Sequence, residues 1–174
     1  MRRQLSKKKK ALYSRRIIFT VAIVVAAILQ NTPHLFPSVF GAHAFLLIPL
    51  IICIGMFETD LAAALFGGFA GALWDVTLAK GDGYNALVLM CFATATSLLI
   101  NYLMRNNMST ALLISGAAVV LYSLLHWFIF VVCSGATGGI VTLFSFYLPS
   151  TIYTFIFAPI FYIIIRSVLR KIKE

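Results

Sequence analysis

The sequence predicts an all-α integral membrane protein with six transmembrane helices. Hydrophobic residues make up 61% of the 174 residues and charged residues only 11%, and the mean hydropathy is +0.99. A soluble domain has about 25% charged residues, and one of this size could not bury so much apolar surface. Because a spanning helix needs about 20 apolar residues, the chain has room for six spans and for no soluble domain.

Six apolar runs give the predicted helices in order. The second run is the shortest and ends at Glu58-Thr59-Asp60, where the third begins almost at once, so we predict a tight hairpin with both carboxylates at the water interface. In the sixth run Pro149 and Pro159 predict kinks. The runs cover residues 17–32, 43–57, 61–79, 84–104, 109–133 and 140–165. They form a six-helix transmembrane domain (17–165) between a basic cytoplasmic N-terminal segment (1–16) and a basic cytoplasmic tail (166–174).

The positions of Lys and Arg predict the topology. Eight of the 14 precede the first span, four follow the last, Arg105 follows the fourth, and Lys80 is the one residue placed on the opposite side. By the positive-inside rule both termini are cytoplasmic, and the first span is an uncleaved signal anchor. The run Lys7–Lys10 suits either nucleic acid or anionic lipid headgroups. Since no aromatic or base-reading module accompanies it, we expect anionic lipids and no nucleic acid.

The most informative segment is residues 61–87, where a helix rich in small residues carries a carboxylate near its end. Small residues let two helices approach closely, and an intramembrane carboxylate indicates function unless it is paired. Four of the residues, spaced by four, three and four positions, lie along one narrow line at 100° per residue. This stripe predicts a packing surface for a partner's helix or for a neighbouring helix of the same chain. Its residues are Ala64, Gly67, Gly68, Gly71 and Asp75, of which only Gly67 lies off the line.

One histidine is a further candidate for a polar contact. In the fifth run Ser115, Tyr122 and His126 share one face of the helix. His126 lies at a depth comparable to that of Asp75, which allows a contact between the two side chains. The alternative is a local backbone or hydroxyl partner, which is the commoner environment of a helical histidine.

No catalytic or metal-binding pattern occurs in the sequence. Cys53, Cys91 and Cys133 are widely spaced in or beside apolar runs, as small packing residues are. The sequence has no CxxC, HExxH or Cys/His cluster, and Ser134-Gly135 lacks the GxSxG setting of a serine nucleophile. We therefore expect a protein that is not an enzyme, with no catalytic residues, no cofactor and no metal.

The order of elements resembles the rod shape-determining protein MreD family. Members have six spans, a Gly-rich third span ending in a G-x-L-x-D-like motif, a short Gly-containing turn and an apolar fourth span. The pattern of spans covers nearly the whole chain, and residue matching covers roughly 58–104. The fold of the family is similar to that of the S-components of energy-coupling-factor vitamin transporters, whose docking pair of small residues resembles Ala22-x-x-x-Ala26. The matching residues are Gly67, Gly68, Gly71, Leu73, Asp75, Gly81, Gly83, Ala86 and Leu87.

The MreD resemblance implies a non-enzymatic scaffold or regulator of the bacterial cell elongation (rod) complex, in the plasma membrane. It would control cell shape and lateral peptidoglycan synthesis through helix contacts with the bitopic protein MreC, beside the filament protein MreB and the RodA/transpeptidase pair. The alternative is a vitamin-binding S-component, whose outward-facing cavity would be closed by the loops at 31–43, 80–83 and 134–139. The last two loops are short for a lid and the outer half offers few convergent polar groups, so the MreD interpretation is preferred.

Overall fold

The computed structural model describes residues 2–32, 44–77, 82–134 and 139–173, and these form helices joined by short turns. The loops expected to close a vitamin cavity fall largely outside this part of the chain, as do Lys80 and Gly81. The helices are α1 (Arg2–Asn31), α2 (Leu47–Gly55), α3 (Asp60–Thr77), α4 (Tyr84–Tyr102), α5 (Met108–Trp127), α6 (Gly139–Thr142) and α7 (Leu148–Lys173). A π-helical turn, Phe128–Val132, extends α5, and a second, Leu143–Tyr147, joins α6 to α7. No strand occurs among the described residues.

Within the described ranges, four stretches are long and apolar enough to cross a membrane, so the protein is a multi-pass membrane protein. They are Lys10–Asn31, Tyr84–Tyr102, Met108–Val132 and Leu143–Lys171. The sequence predicted six spans, and the second and third of these are not among the four. The nine residues of α2 extend only about 14 Å at 1.5 Å per residue, against a hydrocarbon core of about 30 Å. The 18 residues of α3 include two aspartates and three glycines, which lower its hydropathy.

The short helix α2 is the centre of the bundle. Every residue from Leu47 to Gly55 is buried, and α1, α3, α4, α5 and α7 all pack against it. A helix that is apolar on all sides lies either in a protein core or in lipid; this one has no charged residue and is enclosed by protein. Pro49 lies in its first turn, where the missing N–H has no helical partner to lose.

The turn between α2 and α3 corrects the prediction that both of its carboxylates face water. Glu58 is buried, and its Oε1 lies 2.8 Å from Nε of Arg15 on α1. Asp60 is half-buried and accepts hydrogen bonds from Ser97 Oγ (2.6 Å) and Asn101 Nδ2 (2.8 Å) of α4. Because a buried carboxylate must be paired or hydrogen-bonded, Glu58 is paired away from solvent; Asp60 remains partly exposed, and its hydrogen bonds link α3 to α4.

Both ends of the predicted transmembrane domain lie within continuous helices. Residue 16 falls inside α1, which runs without a break from Arg2 to Asn31, and residue 166 falls inside α7, which continues through Pro159 to Lys173. Of the two expected proline positions, Pro149 is the second residue of α7, directly after the π-helical turn Leu143–Tyr147. A π-helical turn shifts the register of the residues that follow it. The two π-helical turns lie beside His126, whose ring contacts Phe130 of the first turn and Tyr147 of the second.

Candidate functional site

The helices α3 and α4 pack closely together, and glycines permit the contact. A Cβ added at Gly67 would overlap the carbonyl of Leu89, and one added at Gly71 would overlap the carbonyl of Asn85 and Cα of Ala86. The two backbones therefore touch at these positions, which only glycine allows. This contact brings the end of α3 against the start of α4.

The carboxylate of Asp75 binds the first turn of α4. Its Oδ1 accepts hydrogen bonds from the backbone N–H and the Nδ2 of Asn85, at 3.2 and 2.8 Å, and its Oδ2 accepts one from the N–H of Ala86, at 2.9 Å. Gly83, the N-cap position, has φ of +67° and no side chain to cap the helix. Asp75 thus supplies from a neighbouring helix the cap that α4 lacks, at the end where the helix dipole favours negative charge.

Asn85 extends this contact to a third helix. Its Oδ1 accepts a 2.6 Å hydrogen bond from the hydroxyl of Tyr122 on α5, and all three side chains are buried. Asp75, Asn85 and Tyr122 therefore form a continuous chain of hydrogen bonds across α3, α4 and α5. Asn85 was not among the site residues predicted from the sequence. A sequence feature that could have identified Asn85 is its position in the first turn of a helix, directly after the loop that contains Gly83. Backbone N–H groups at the start of a helix need an acceptor.

His126 lies in an aromatic cluster one turn beyond Tyr122. Its Nδ1 is 2.8 Å from the hydroxyl of Tyr147, and its ring centroid is 4.5 Å from that of Phe130 and 5.8 Å from that of Tyr122. This hydroxyl partner is neither the Asp75 carboxylate nor a local group, because Tyr147 lies 21 residues further along the chain. His126 is linked to Asp75 through two other side chains: its ring contacts that of Tyr122, and Tyr122 and Asp75 are both hydrogen-bonded to Asn85.

A cavity of about 260 Å³ opens beside this cluster. Its volume is slightly below the range of about 300–1,000 Å³ that is usual for small-molecule pockets. The sequence predicted few polar groups at this end of the molecule, whereas several polar side chains line the cavity. Most of the wall is nevertheless aromatic. Its lining includes Gln30, Asn31, Trp74, Tyr122, His126 and Tyr147.

Comparison with known families identifies the chain. The family model described as rod shape-determining protein MreD matches residues 11–172. The chain belongs to the MreD family. It therefore has a role in the determination of rod shape, as a component of the rod-shape machinery. No curated protein and no solved structure matches it.

In this MreD-family chain the predicted stripe of small residues occupies two neighbouring faces of α3. Gly67, Gly71 and Asp75 are buried against α4, whereas Ala64 and Gly68 are half-buried. A Cβ added at Gly68 would have ordinary contacts with Met90, the nearest atom lying 3.8 Å away. Ala72, one turn further on, is exposed. The stripe is therefore filled by the chain itself on one face and left open on the other.

The described part of this MreD-family chain contains no group of three or more His, Cys, Asp or Glu side chains that could hold a metal ion. Cys53, Cys91 and Cys133 are free thiols, the first buried and the other two exposed. The polar groups that the structure brings together are the carboxylate, amide and phenol of Asp75, Asn85 and Tyr122. These groups are hydrogen-bonded to one another, as in a structural network.

Proposed function

We propose that the chain is a non-enzymatic membrane scaffold of the cell elongation complex. Its direct partner is an MreC-like bitopic protein, and through it the chain acts beside MreB, RodA and the associated transpeptidase in lateral peptidoglycan synthesis. The observation that carries this proposal is the family match over residues 11–172. The open face of α3 supports it, because a bitopic partner brings a single transmembrane helix that needs such a surface.

The two faces of α3 have different roles in this mechanism. The face with Gly67, Gly71 and Asp75 fixes α3 against α4, so that the hairpin is rigid. The other face carries Ala64, Gly68 and Ala72 at intervals of four residues, the spacing that lets a second helix approach closely in a membrane. Leu61 and Leu65, 75% and 67% exposed, border it and would pack around the incoming helix. The partner's helix thus meets a surface that the internal face holds in place.

The proposed topology has six spans in an S-component-like bundle, with both termini cytoplasmic. The enclosed helix α2 and the less hydrophobic α3 are the two added to the four apolar stretches. Burial supports this assignment, because a helix shielded by five others does not need the length of a lipid-facing one. The basic segment at the start of α1 would contact anionic lipid headgroups at the inner surface.

Gly68→Leu tests the partner surface directly. The Cβ of the added side chain would have only ordinary contacts with Met90, so we expect normal amounts of membrane-inserted protein and loss of the co-purified MreC-like partner. Ala117→Leu is the matched control, since Ala117 is an exposed residue of α5. Both variants would be purified from native membranes in mild detergent. Equal recovery of the partner with Gly68→Leu and with wild type would show that this face is not the interface.

A further inference from the structure

A groove between α1 and α3 has the form of a phospholipid site. It has a volume of about 370 Å³ and lies at the end of the bundle assigned to the cytoplasm. Leu61, Ala62, Leu65, Phe66 and Phe69 line it along α3, and Arg16 and Thr20 line it along α1. Phe66 closes the base by an edge-to-face contact with the buried Phe19 of α1. We call this feature the α1–α3 groove.

The groove is polar at one end and apolar along the rest. Arg16 and Thr59 lie at the mouth, and the apolar wall continues from Leu61 to Phe69. From Leu61 to Phe69 the helix rises about 12 Å, close to the depth of one leaflet of hydrocarbon, which is about 15 Å. A ligand with a charged head and an apolar chain of that length would match the groove from end to end.

The charges around the mouth leave one cation without a partner. Arg15 is paired with Glu58, and Asp60 is occupied by Ser97 and Asn101 on the side facing α4. Arg16 is exposed and has no side-chain hydrogen bond or ion pair to another described residue. Its guanidinium carries a positive charge at any physiological pH and can bind a phosphate through two N–H groups. The mouth therefore favours an anion.

We propose that the α1–α3 groove binds an anionic phospholipid, with its phosphate on Arg16 and an acyl chain against Leu61, Leu65 and Phe69. This site is separate from the nonspecific attraction of the N-terminal lysines, because it joins one charge to a shaped apolar surface. It shares Leu61 and Leu65 with the border of the proposed partner surface, but Arg16 and Phe69 lie outside that surface. A Gly68→Leu variant that has lost the partner should therefore still bind the lipid.

Photo-crosslinking with two lipids tests the proposal. The purified full-length chain would be placed in phosphatidylcholine vesicles that contain a trace of diazirine-labelled phosphatidylglycerol or diazirine-labelled phosphatidylcholine, and the labelled peptides of α1 and α3 would be quantified by mass spectrometry. We expect preferential labelling by phosphatidylglycerol. Since one basic residue near the membrane surface contributes about 1 kcal/mol, Arg16→Gln should lower that labelling about fivefold.

Two further variants serve as controls. Arg170→Gln removes an exposed charge at the same end of the molecule but away from the groove, so it should not change the labelling. Ala62→Phe fills the groove and should lower labelling by both lipids. Equal labelling of the wild type by the two lipids, or an unchanged signal in Arg16→Gln, would overturn the proposal. Labelling seen with purified protein but blocked in native membranes would assign the groove to a partner's helix and also overturn it.

Discussion

Asp75 works as a helix cap supplied from outside the helix. The backbone N–H groups of Asn85 and Ala86 would otherwise have no acceptor in an apolar setting, and its carboxylate accepts hydrogen bonds from both. The same carboxylate orients the amide of Asn85, whose oxygen then accepts the hydrogen bond from Tyr122. One acidic side chain therefore determines where α4 begins and how α5 packs against it.

Substitutions at Asp75 should reveal this capping role in graded form. Asp75→Asn keeps one oxygen acceptor in a similar volume, so we expect a loss of about 1 kcal/mol in the free energy of unfolding, the usual cost of a weakened cap. Asp75→Leu removes both acceptors and leaves buried N–H groups unpaired, which costs about 1–3 kcal/mol per group. Thermal unfolding in detergent would rank wild type, Asn and Leu in that order. A Leu variant as stable as the Asn variant would refute the capping role.

At the scale of helices, the α3–α4 hairpin is the element that the sequence predicted best. Spacing alone placed Gly71 and Asp75 on one line, and the turn after α3 marked the start of the next helix. Sequence could not show which helix would fill the glycine surface, because any close neighbour satisfies the same pattern. The positions of Glu58 and Asn85 were missed for a related reason. Both are paired with residues far along the chain, Arg15 and Tyr122, and helical periodicity carries no information about such pairs.

Replacing glycine by alanine should have opposite effects on stability at the two faces of α3. Gly71→Ala places a methyl group into the backbone of Asn85 and Ala86, and such overpacking typically costs about 1–3 kcal/mol. Gly68→Ala meets only ordinary contacts with Met90, and replacing a helical glycine by alanine favours the helix by up to about 1 kcal/mol. Thermal unfolding of the two purified variants makes the comparison. Equal destabilisation would mean that both glycines are enclosed.

At the scale of the whole molecule, the polar contacts divide between the two ends of the bundle. Arg15 and Glu58 lie at one end, and the network of Asp75, Asn85 and Tyr122 lies at the other. In the predicted topology the first end would be cytoplasmic and the second would face outward. Sequence predicted the two ends from charge alone, whereas the enclosure of α2 depends on contacts with five other helices and could not be predicted from its length.

Cysteine labelling tests the orientation. In a variant without Cys53, Cys91 and Cys133, a cysteine introduced in place of exposed Asp82 should react with a membrane-impermeant maleimide added to intact cells. One introduced in place of exposed Asn107 should react only after permeabilisation. Reaction of the Asn107 position in intact cells would contradict cytoplasmic termini.

Deletion of the gene separates the two functions considered for this architecture. We expect rounded cells whose rod shape returns when the wild-type chain is expressed, because the assembly that maintains lateral wall growth would lack its membrane scaffold. The cavity beside His126 is a feature that favours vitamin capture instead. Rod-shaped mutants that require an added vitamin would establish that function and exclude the scaffold.

The enclosure of α2 has a consequence for biosynthesis. This helix leaves the ribosome second, yet two of the helices that surround it, α5 and α7, are made last. During translation α2 must therefore remain beside lipid or the insertion machinery, as a helix of nine residues that is too short to cross the bilayer alone. The other helices enclose α2 completely only when α7 has been synthesised. A chain that ends before residue 148 would leave this segment uncovered and should be recognised by membrane quality-control proteases.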